Sequence, residues 1–367
     1  MEWKTHIKEL ERTAYWSDPE KTHRIALYGA GHLGELGLTC LLHAGIRPEY
    51  VVDRDKRGAL IGIPIYGPEE VTPEDKKEVL FLITISSVSY RSIVMELKNK
   101  GYLHLMQFYT YGSLFFPDIL NNGWILKDNS FITTKVKEVC NLLVHDEVSL
   151  AHYLSFLYWK RFNEEVVFFP IESGKKYFNS SCMPKLSENE VFMDVGCYRG
   201  ANIGKFLDKI NGKYKKIVAI EPLEKELAMA QKTYCGENRV FINTAISCFC
   251  GEKGFIDYLG MASHLDDRAE NTTHIQTIDS LMENPTIIKI HIEGEELNAL
   301  RGSIQTIKKN RPIMMVLGDH NEDGWYAIPM FVRDLEEYRL YFRLHDYCGN
   351  SAVWYFIPRE RIHNVCN

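Results

Sequence analysis

Phe192-Met-Asp-Val-Gly-Cys-Tyr-Arg-Gly-Ala-Asn202, taken with Ile217-Val-Ala-Ile-Glu-Pro222, is the stretch whose reading decides the fold. One apolar run ends in Asp194, a glycine-bearing turn follows, and a second apolar run ends in Glu221. A doubly wound α/β domain opens a nucleoside pocket in this way. Glycine lets the backbone pass close to a ligand, and an acidic residue closing the next strand accepts from both ribose hydroxyls. The turn reads D-x-G-x-x-x-G and lacks the G-x-G-x-x-G that shapes a pyrophosphate cradle. A ligand with a ribose and no phosphates fits it, and S-adenosylmethionine is such a ligand. Asp194, Gly196, Cys197, Tyr198, Gly200 and Glu221 are expected to hold it, with Asn243 and Ala245 along the adenine edge.

Outward from this turn, strands are expected near 191–195, 216–221, 239–243, 286–292, 312–317, 338–345 and 351–357, alternating with helices. Toward the N-terminus a second α/β pattern begins. Arg24-Ile-Ala-Leu-Tyr28 reads as a strand, Gly29-Ala-Gly-His-Leu-Gly34 as its turn into a helix, and Tyr50-Val-Val-Asp53 as the next strand. Gly29, Gly31, Gly34 and Asp53 meet the conditions for a dinucleotide or nucleotide-sugar fingerprint. A bound nucleotide and a purely interfacial role are both open for that domain. Between them, Thr134 to Leu143 and Glu147 to Arg161 carry apolar residues at helical spacing, with Asp146 placed to cap the second helix. The expected layout is therefore two doubly wound Rossmann-like domains, at 1–115 and 189–358, joined by a helical strap at 116–188 and followed by a tail at 359–367.

Composition narrows the class. The 367 residues are 45% apolar and 25% charged with a formal net charge of −6, an ordinary globular balance. No run of five basic residues occurs, which argues against nucleic acid or an anionic membrane as partner. The charged start Met1-Glu-Trp-Lys-Thr-His does not read as a signal peptide. Runs such as Val79-Leu-Phe-Leu-Ile83 fall far short of the ~20 residues that span a bilayer. Nine scattered cysteines without a C-x-x-C suggest reduced thiols and a cytoplasmic location. No compact metal-ligand spacing appears, so no metal site is assigned.

The second chemistry-bearing segment is Ile287-Ile-Lys-Ile-His-Ile-Glu-Gly-Glu-Glu-Leu-Asn-Ala-Leu-Arg-Gly302. Strand periodicity places Lys289, His291 and Glu293 on one face. Charges leaving a buried strand at its carboxyl end are costly unless something uses them, and ligands sit at that edge of a doubly wound sheet.

This segment resembles the signature of the FkbM-type methyltransferases, I-K-x-D-x-E-G-A-E followed by x-x-L-x-G. Phe192 to Gly200 and Ala219-Ile-Glu-Pro222 are similar to the family's first two strands, and Thr277-Ile-Asp-Ser-Leu281 to the segment ahead of the signature. Asp146-Glu-Val-Ser149, Tyr177-Phe178, His320 with Ile328-Pro329, and Tyr341-Phe-Arg-Leu-His345 resemble one branch of it. The likeness covers about residues 140 to 358. It implies a class I fold and methyl transfer from S-adenosylmethionine, usually to an oxygen, with sugar or glycan hydroxyls as common acceptors. Two departures stand out: His291 occupies the place of the family's central Asp, and Arg199, Ala201 and Asn202 replace the usual acidic residues and Thr.

A sugar hydroxyl is a poor nucleophile and must lose its proton to a base within hydrogen-bond reach. His291, His320, Glu293 and Asp319 are the candidates, His264 could line the same cleft, and Lys289 is expected to face the acceptor. The expectation is an O-methyltransferase acting on a small-molecule or glycan acceptor. The rival reading is a catalytically degenerate methyltransferase fold kept as a binding or regulatory module. An oxidoreductase lacks a hydride-transfer partner, and no N-P-P-Y/F or D-P-P-Y/F tetrad points to base methylation. The oligomeric state is not legible, a dimer being compatible with the chain.

Overall fold

The computed structural model describes residues 3–14, 24–120, 124–126, 131–335 and 337–364. Its first sheet is built from β1 (Ile25–Tyr28), β2 (Val51–Val52), β3 (Gly58–Leu60), β4 (Ile63–Tyr66), β5 (Leu80–Ile83) and β6 (His104–Gln107). The order is β3-β4-β2-β1-β5-β6, parallel except where β3 runs against β4. Continuous apolar strands such as Leu80-Phe-Leu-Ile83 suit a sheet covered on both faces. Alternation divides β1 accordingly: Leu27 enters one core, while Ala26 and Tyr28 enter the other.

The second sheet begins with β7 (Val191–Val195), β8 (Lys216–Ile220) and β9 (Arg239–Ile242). Four short strands then form a separate sheet: β10 (Ala245–Ile246), β11 (Gly251–Ile256), β12 (His264–Leu265) and β13 (Thr272–Gln276), in the order β10-β13-β11-β12. The chain returns through β14 (Ile287–Ile290), β15 (Ile313–Leu317), β16 (Tyr338–Leu344) and β17 (Ala352–Pro358). The seven-stranded order is β16-β17-β15-β14-β7-β8-β9, with β17 antiparallel to both neighbours. The seven main strands lie where apolar periodicity places them. The small sheet escapes a sequence reading because Gly251-Glu-Lys-Gly-Phe-Ile256 and Thr272-Thr-His-Ile-Gln276 are polar and only partly buried.

The helical stretch expected as a strap is a layer of the second domain. Glu147–Phe162 is buried nearly all round, and Leu150, Tyr153, Leu154 and Leu157 share one core with Met193, Val195, Ile288 and Val316. A helix apolar on every side belongs inside a protein. Ile7 and Leu10 of the Trp3–Leu10 helix join the same core, although that helix precedes the first sheet in sequence. Asp146 caps the buried helix by accepting from Ser149 N at 2.8 Å. On the opposite face Tyr177 and Phe178 pack with Phe192 and Phe206. Among the described residues no helix is long and apolar enough to cross a membrane.

One buried cation ties these layers together. Arg343 of β16, 3% exposed at its side chain, donates to Asp146 Oδ2 at 2.7 Å and Glu172 Oε1 at 3.1 Å. It also reaches Ser149 Oγ and Ser181 Oγ at 2.6 and 3.1 Å. Removing one partner of a buried ion pair leaves an uncompensated charge, at a cost of roughly 3–5 kcal/mol. Arg343→Met is expected to lose stability on that scale, read as a lowered midpoint in urea unfolding. An unchanged midpoint would show that the tie is dispensable.

Candidate active site

The site starts from a pair of charges that the sheet aligns. In the parallel register of β14 with β7, Lys289 lies opposite Asp194. Their side chains, 1% and 0% exposed, form an ion pair at 3.0 Å. Burial pushes the Asp194 carboxyl above its ordinary value, and the Lys289 ammonium offsets part of that rise. Lys289 Nζ also donates to Val195 O at 3.2 Å and Gly196 O at 2.6 Å. The ammonium thus holds the turn, and Lys289 also lines the cavity above it.

Gly196 itself has φ +76°, and a Cβ there would stand 2.0 Å from the carbonyl oxygen of His291. Only glycine fits this approach. Glu221 Oε2 then accepts from Tyr198 N at 2.9 Å, while Oε1 accepts from Leu223 N at 3.1 Å. Those two bonds occupy about half of a carboxylate's acceptor positions and leave the rest for a ligand.

A cavity of ≈ 250 Å³ opens above this turn. Of the residues expected to hold a nucleoside, Gly196, Cys197, Tyr198, Glu221 and Ala245 line it. Asp194, Gly200 and Asn243 do not. Asp194 lies below with Lys289, and Gly200 is required by φ +82° and by the Tyr234 ring, 2.7 Å from where its Cβ would be. Asn243 spends its amide on the carbonyls of Glu221 and Pro222, both at 2.9 Å. These three shape the pocket from behind.

At the far end of the cavity the signature segment turns sharply, with Glu293 at φ +53° and Gly294 at φ +115°. The turn rests on Glu296, which no sequence pattern singled out. Fully buried, it accepts from Ile292 N at 2.9 Å, Gly294 N at 3.0 Å and Asn321 Nδ2 at 2.9 Å. Burial raises its carboxyl to about 7 against the pull of those donors. The one available signal was its place as the last acid of Glu293-Gly-Glu-Glu296, where a helix begins.

This turn brings together side chains that the sequence held apart. His291 Nε2 lies 3.0 Å from Glu293 Oε1, and His320 Nδ1 lies 3.2 Å from Glu293 Oε2. His291 Nδ1 is hydrogen-bonded to the Tyr177 hydroxyl at 3.0 Å. Desolvation holds both imidazoles well below their ordinary values and drives the Glu293 carboxyl well above its own. One ligand atom from each of His291, Glu293 and His320 falls within 4.8 Å of the others, a set of metal-binding type. The absence of a compact sequence spacing was therefore no guide, because the set comes from two separate strand ends. His291 and Glu293 line the cavity, and Glu293 also borders a second one shared with His320 and Asn321.

Nearby, Asp319 is fully buried, and burial raises its carboxyl. Lys160 donates to its backbone carbonyl at 2.9 Å and is pushed down to about 7 by desolvation. His264 lines the cavity with Nδ1 on Ala262 O at 2.8 Å.

The core of the first sheet, which takes in Trp124 from the stretch expected as a strap, comes close to this cluster. Trp124 stacks on Tyr109 at 3.7 Å between ring centres and stands 5.7 Å from the His320 ring. The glycine turn of the first domain is tight, since a Cβ on Gly34 would lie 2.2 Å from Gly29 O, whereas one on Gly31 would meet nothing. Asp53 accepts from Ala30 N, Asp55 N and Lys56 N at 2.7, 2.9 and 3.0 Å. Three of its roughly four acceptor positions are taken, leaving little to grip the ribose of the expected nucleotide.

With this geometry in place, known proteins give it a family. Residues 194–348 match the Methyltransferase FkbM domain. The chain carries an FkbM methyltransferase domain. The crystal structure of Methyltransferase FkbM from Methylobacillus flagellatus KT aligns with 96% of this chain and 98% of its own, at TM-score 0.67 and 16% identity. At that identity the likeness shows a shared fold, first domain included. A putative rRNA-methylase from Clostridium thermocellum aligns over 46% of this chain and 86% of its own, at TM-score 0.29 and 11% identity. SAH-bound PaMTH1 from Podospora anserina does so over 46% and 72%, at 0.28 and 13%. Neither carries weight at those scores. No curated protein matches.

Within the FkbM domain, Glu296→Ala would strand three buried donors at about 1–3 kcal/mol each. We expect a loss of roughly 2–4 kcal/mol near pH 5, measured by chemical unfolding. The folded-state value of Glu296 is raised, so the folded chain keeps the proton longer than the unfolded one. Its contribution is therefore greatest at low pH and declines as pH rises from about 4.5 to about 7. The Ala variant should lack that decline.

Proposed function

We propose that the FkbM domain transfers the methyl group of S-adenosylmethionine to a hydroxyl of a sugar or glycan. The observation that carries this reading is one continuous cavity lined by both Glu221 and the His291–Glu293 pair. A carboxylate with two acceptor positions left suits the two hydroxyls of a ribose. The Gly196 turn provides close backbone approach, and Ala245 leaves room beside the adenine. The positive sulfonium of the donor then sits in a region bordered by buried carboxyls.

Methyl transfer is an in-line displacement. The acceptor oxygen forms a bond to the methyl carbon as the carbon–sulfur bond breaks, and the sulfur keeps the electron pair. Alignment and the exclusion of water supply much of the acceleration. The hydroxyl proton passes to the group at the cavity's end, with His291 or Glu293 as acceptor. Tyr177 orients the imidazole for that role, since its hydroxyl fixes Nδ1 and leaves Nε2 toward Glu293. Lys289 and Asp194 act by holding the turn. Carboxylates that accept from hydroxyls are a common means of gripping neutral, hydroxyl-rich acceptors, and the second cavity offers several, Asp118, Asp267 and Glu322 among them.

Titration with S-adenosylhomocysteine tests the pocket. Loss of the hydrogen bonds to the ribose in Glu221→Ala should weaken binding by roughly 10- to 100-fold, while the stranded Tyr198 N and Leu223 N lower the melting temperature without unfolding the chain at the temperature of the titration. Equal affinity of the variant and the parent would place the nucleoside elsewhere. Turnover against a panel of sugars, compared with His291→Ala, then tests the chemistry: binding without turnover by either protein would favour a non-catalytic module.

A further inference from the structure

We propose that His291, Glu293 and His320 form a site for one first-row divalent cation, which holds the acceptor hydroxyl against the methyl donor. The activating role rests on the methyl-transfer reading; the binding of the ion does not. Two ligands each ~2.1 Å from one ion stand ~3.0 Å apart at right angles and ~3.4 Å apart at the tetrahedral angle. His291 Nε2 and Glu293 Oε1, at 3.0 Å, fall within that range, and one ligand atom from each of the three residues lies within 4.8 Å of the others.

A second observation comes from His320. Its Nδ1 is buried, has no hydrogen-bond partner of suitable geometry, and points at the Glu293 carboxylate in a residue only 6% exposed. Burying a ring nitrogen unused is costly, and a cation supplies the missing partner. The third is Tyr177. Its hydroxyl occupies His291 Nδ1, which leaves Nε2 as the ligating nitrogen, the arrangement by which metal-bound histidines are held in one tautomer.

Two imidazoles and one carboxylate favour a transition-metal ion over magnesium or calcium. The position of Glu293 on the border between two cavities leaves coordination positions open on both sides. An acceptor hydroxyl taking one of them becomes more acidic. Its proton goes to the Glu293 oxygen that is not on the ion, the oxygen–carbon bond forms, the carbon–sulfur bond breaks, and no electron is exchanged with the metal. Ion and proton acceptor thus use different atoms of the same group.

The test uses the full chain, stripped with a chelator and dialysed, then titrated with Zn²⁺ by calorimetry and with Co²⁺ by visible spectroscopy. One ion per chain is expected, with ligand-field bands for Co²⁺. His320→Ala and Glu293→Gln should each weaken uptake by ~100-fold or more, and Tyr177→Phe by about tenfold through the loosened imidazole. His291→Asp keeps three ligands and should keep uptake while shifting preference toward Mn²⁺. A parent protein that takes up no ion, or a His291→Ala/His320→Ala protein that binds as well as the parent, would overturn the site. Parallel titration with S-adenosylhomocysteine separates the two ideas. Ion uptake without nucleoside binding would sink the methyl-transfer reading alone, and nucleoside binding without ion uptake would sink this inference alone.

Discussion

The buried Lys289–Asp194 pair is the constraint on which the site depends. Two charges at 1% and 0% exposure cost several kcal/mol each to desolvate, and their attraction alone does not guarantee repayment. Here the ammonium also takes two backbone carbonyls of the turn, so one cation neutralises an acid and anchors Val195 and Gly196. The anchored turn presses Gly196 against the His291 carbonyl. The Glu221 end of the cavity and the His291–Glu293 end are consequently tied to one turn. Small displacements of β14 against β7 would disturb both at once, which is why charge was worth burying at this register.

Around that centre, polar groups are held by parts of the chain far away in sequence. Tyr355 hydroxyl donates to or accepts from His345 at 2.7 Å and takes Tyr177 N at 2.9 Å, so the residue that orients His291 is itself fixed from β17. Lys160, from the buried helix, lies 4.2 Å from the Trp124 ring and binds the Asp319 carbonyl. The core of the first sheet therefore meets the second domain through Trp124, which stands between Lys160 and the His320 ring. Its other contacts include His43 stacked on Tyr258 at 4.0 Å.

How much of this was legible can be followed residue by residue. The strands of the main sheet were, because a parallel strand covered on both faces must be apolar throughout, as Ile287-Ile-Lys-Ile290 and Ile313-Met-Met-Val-Leu317 are apart from the one lysine that the site uses. The glycine turn and Glu221 were legible because a close backbone approach and a carboxylate at a strand end leave few residue choices. Asn243 stands behind the cavity for a physical reason: a strand end fixes where the backbone goes, but not which neighbour captures an amide. Glu296 was invisible because its value lies in three donors that only the finished turn presents to it.

The sequence by itself determined the α/β layering, the position of the glycine turn after β7 and the identity of the acid beside it, since periodicity and glycine placement are local properties of the chain. It also supplied His291, Glu293 and His320 as separate candidates. Tertiary structure alone decided that these three meet, that Lys289 faces inward to Asp194, and that the Glu147–Phe162 helix is core instead of tether. Each of those outcomes depends on register and on burial between distant segments, and desolvation acts only once the segments have closed over the groups concerned.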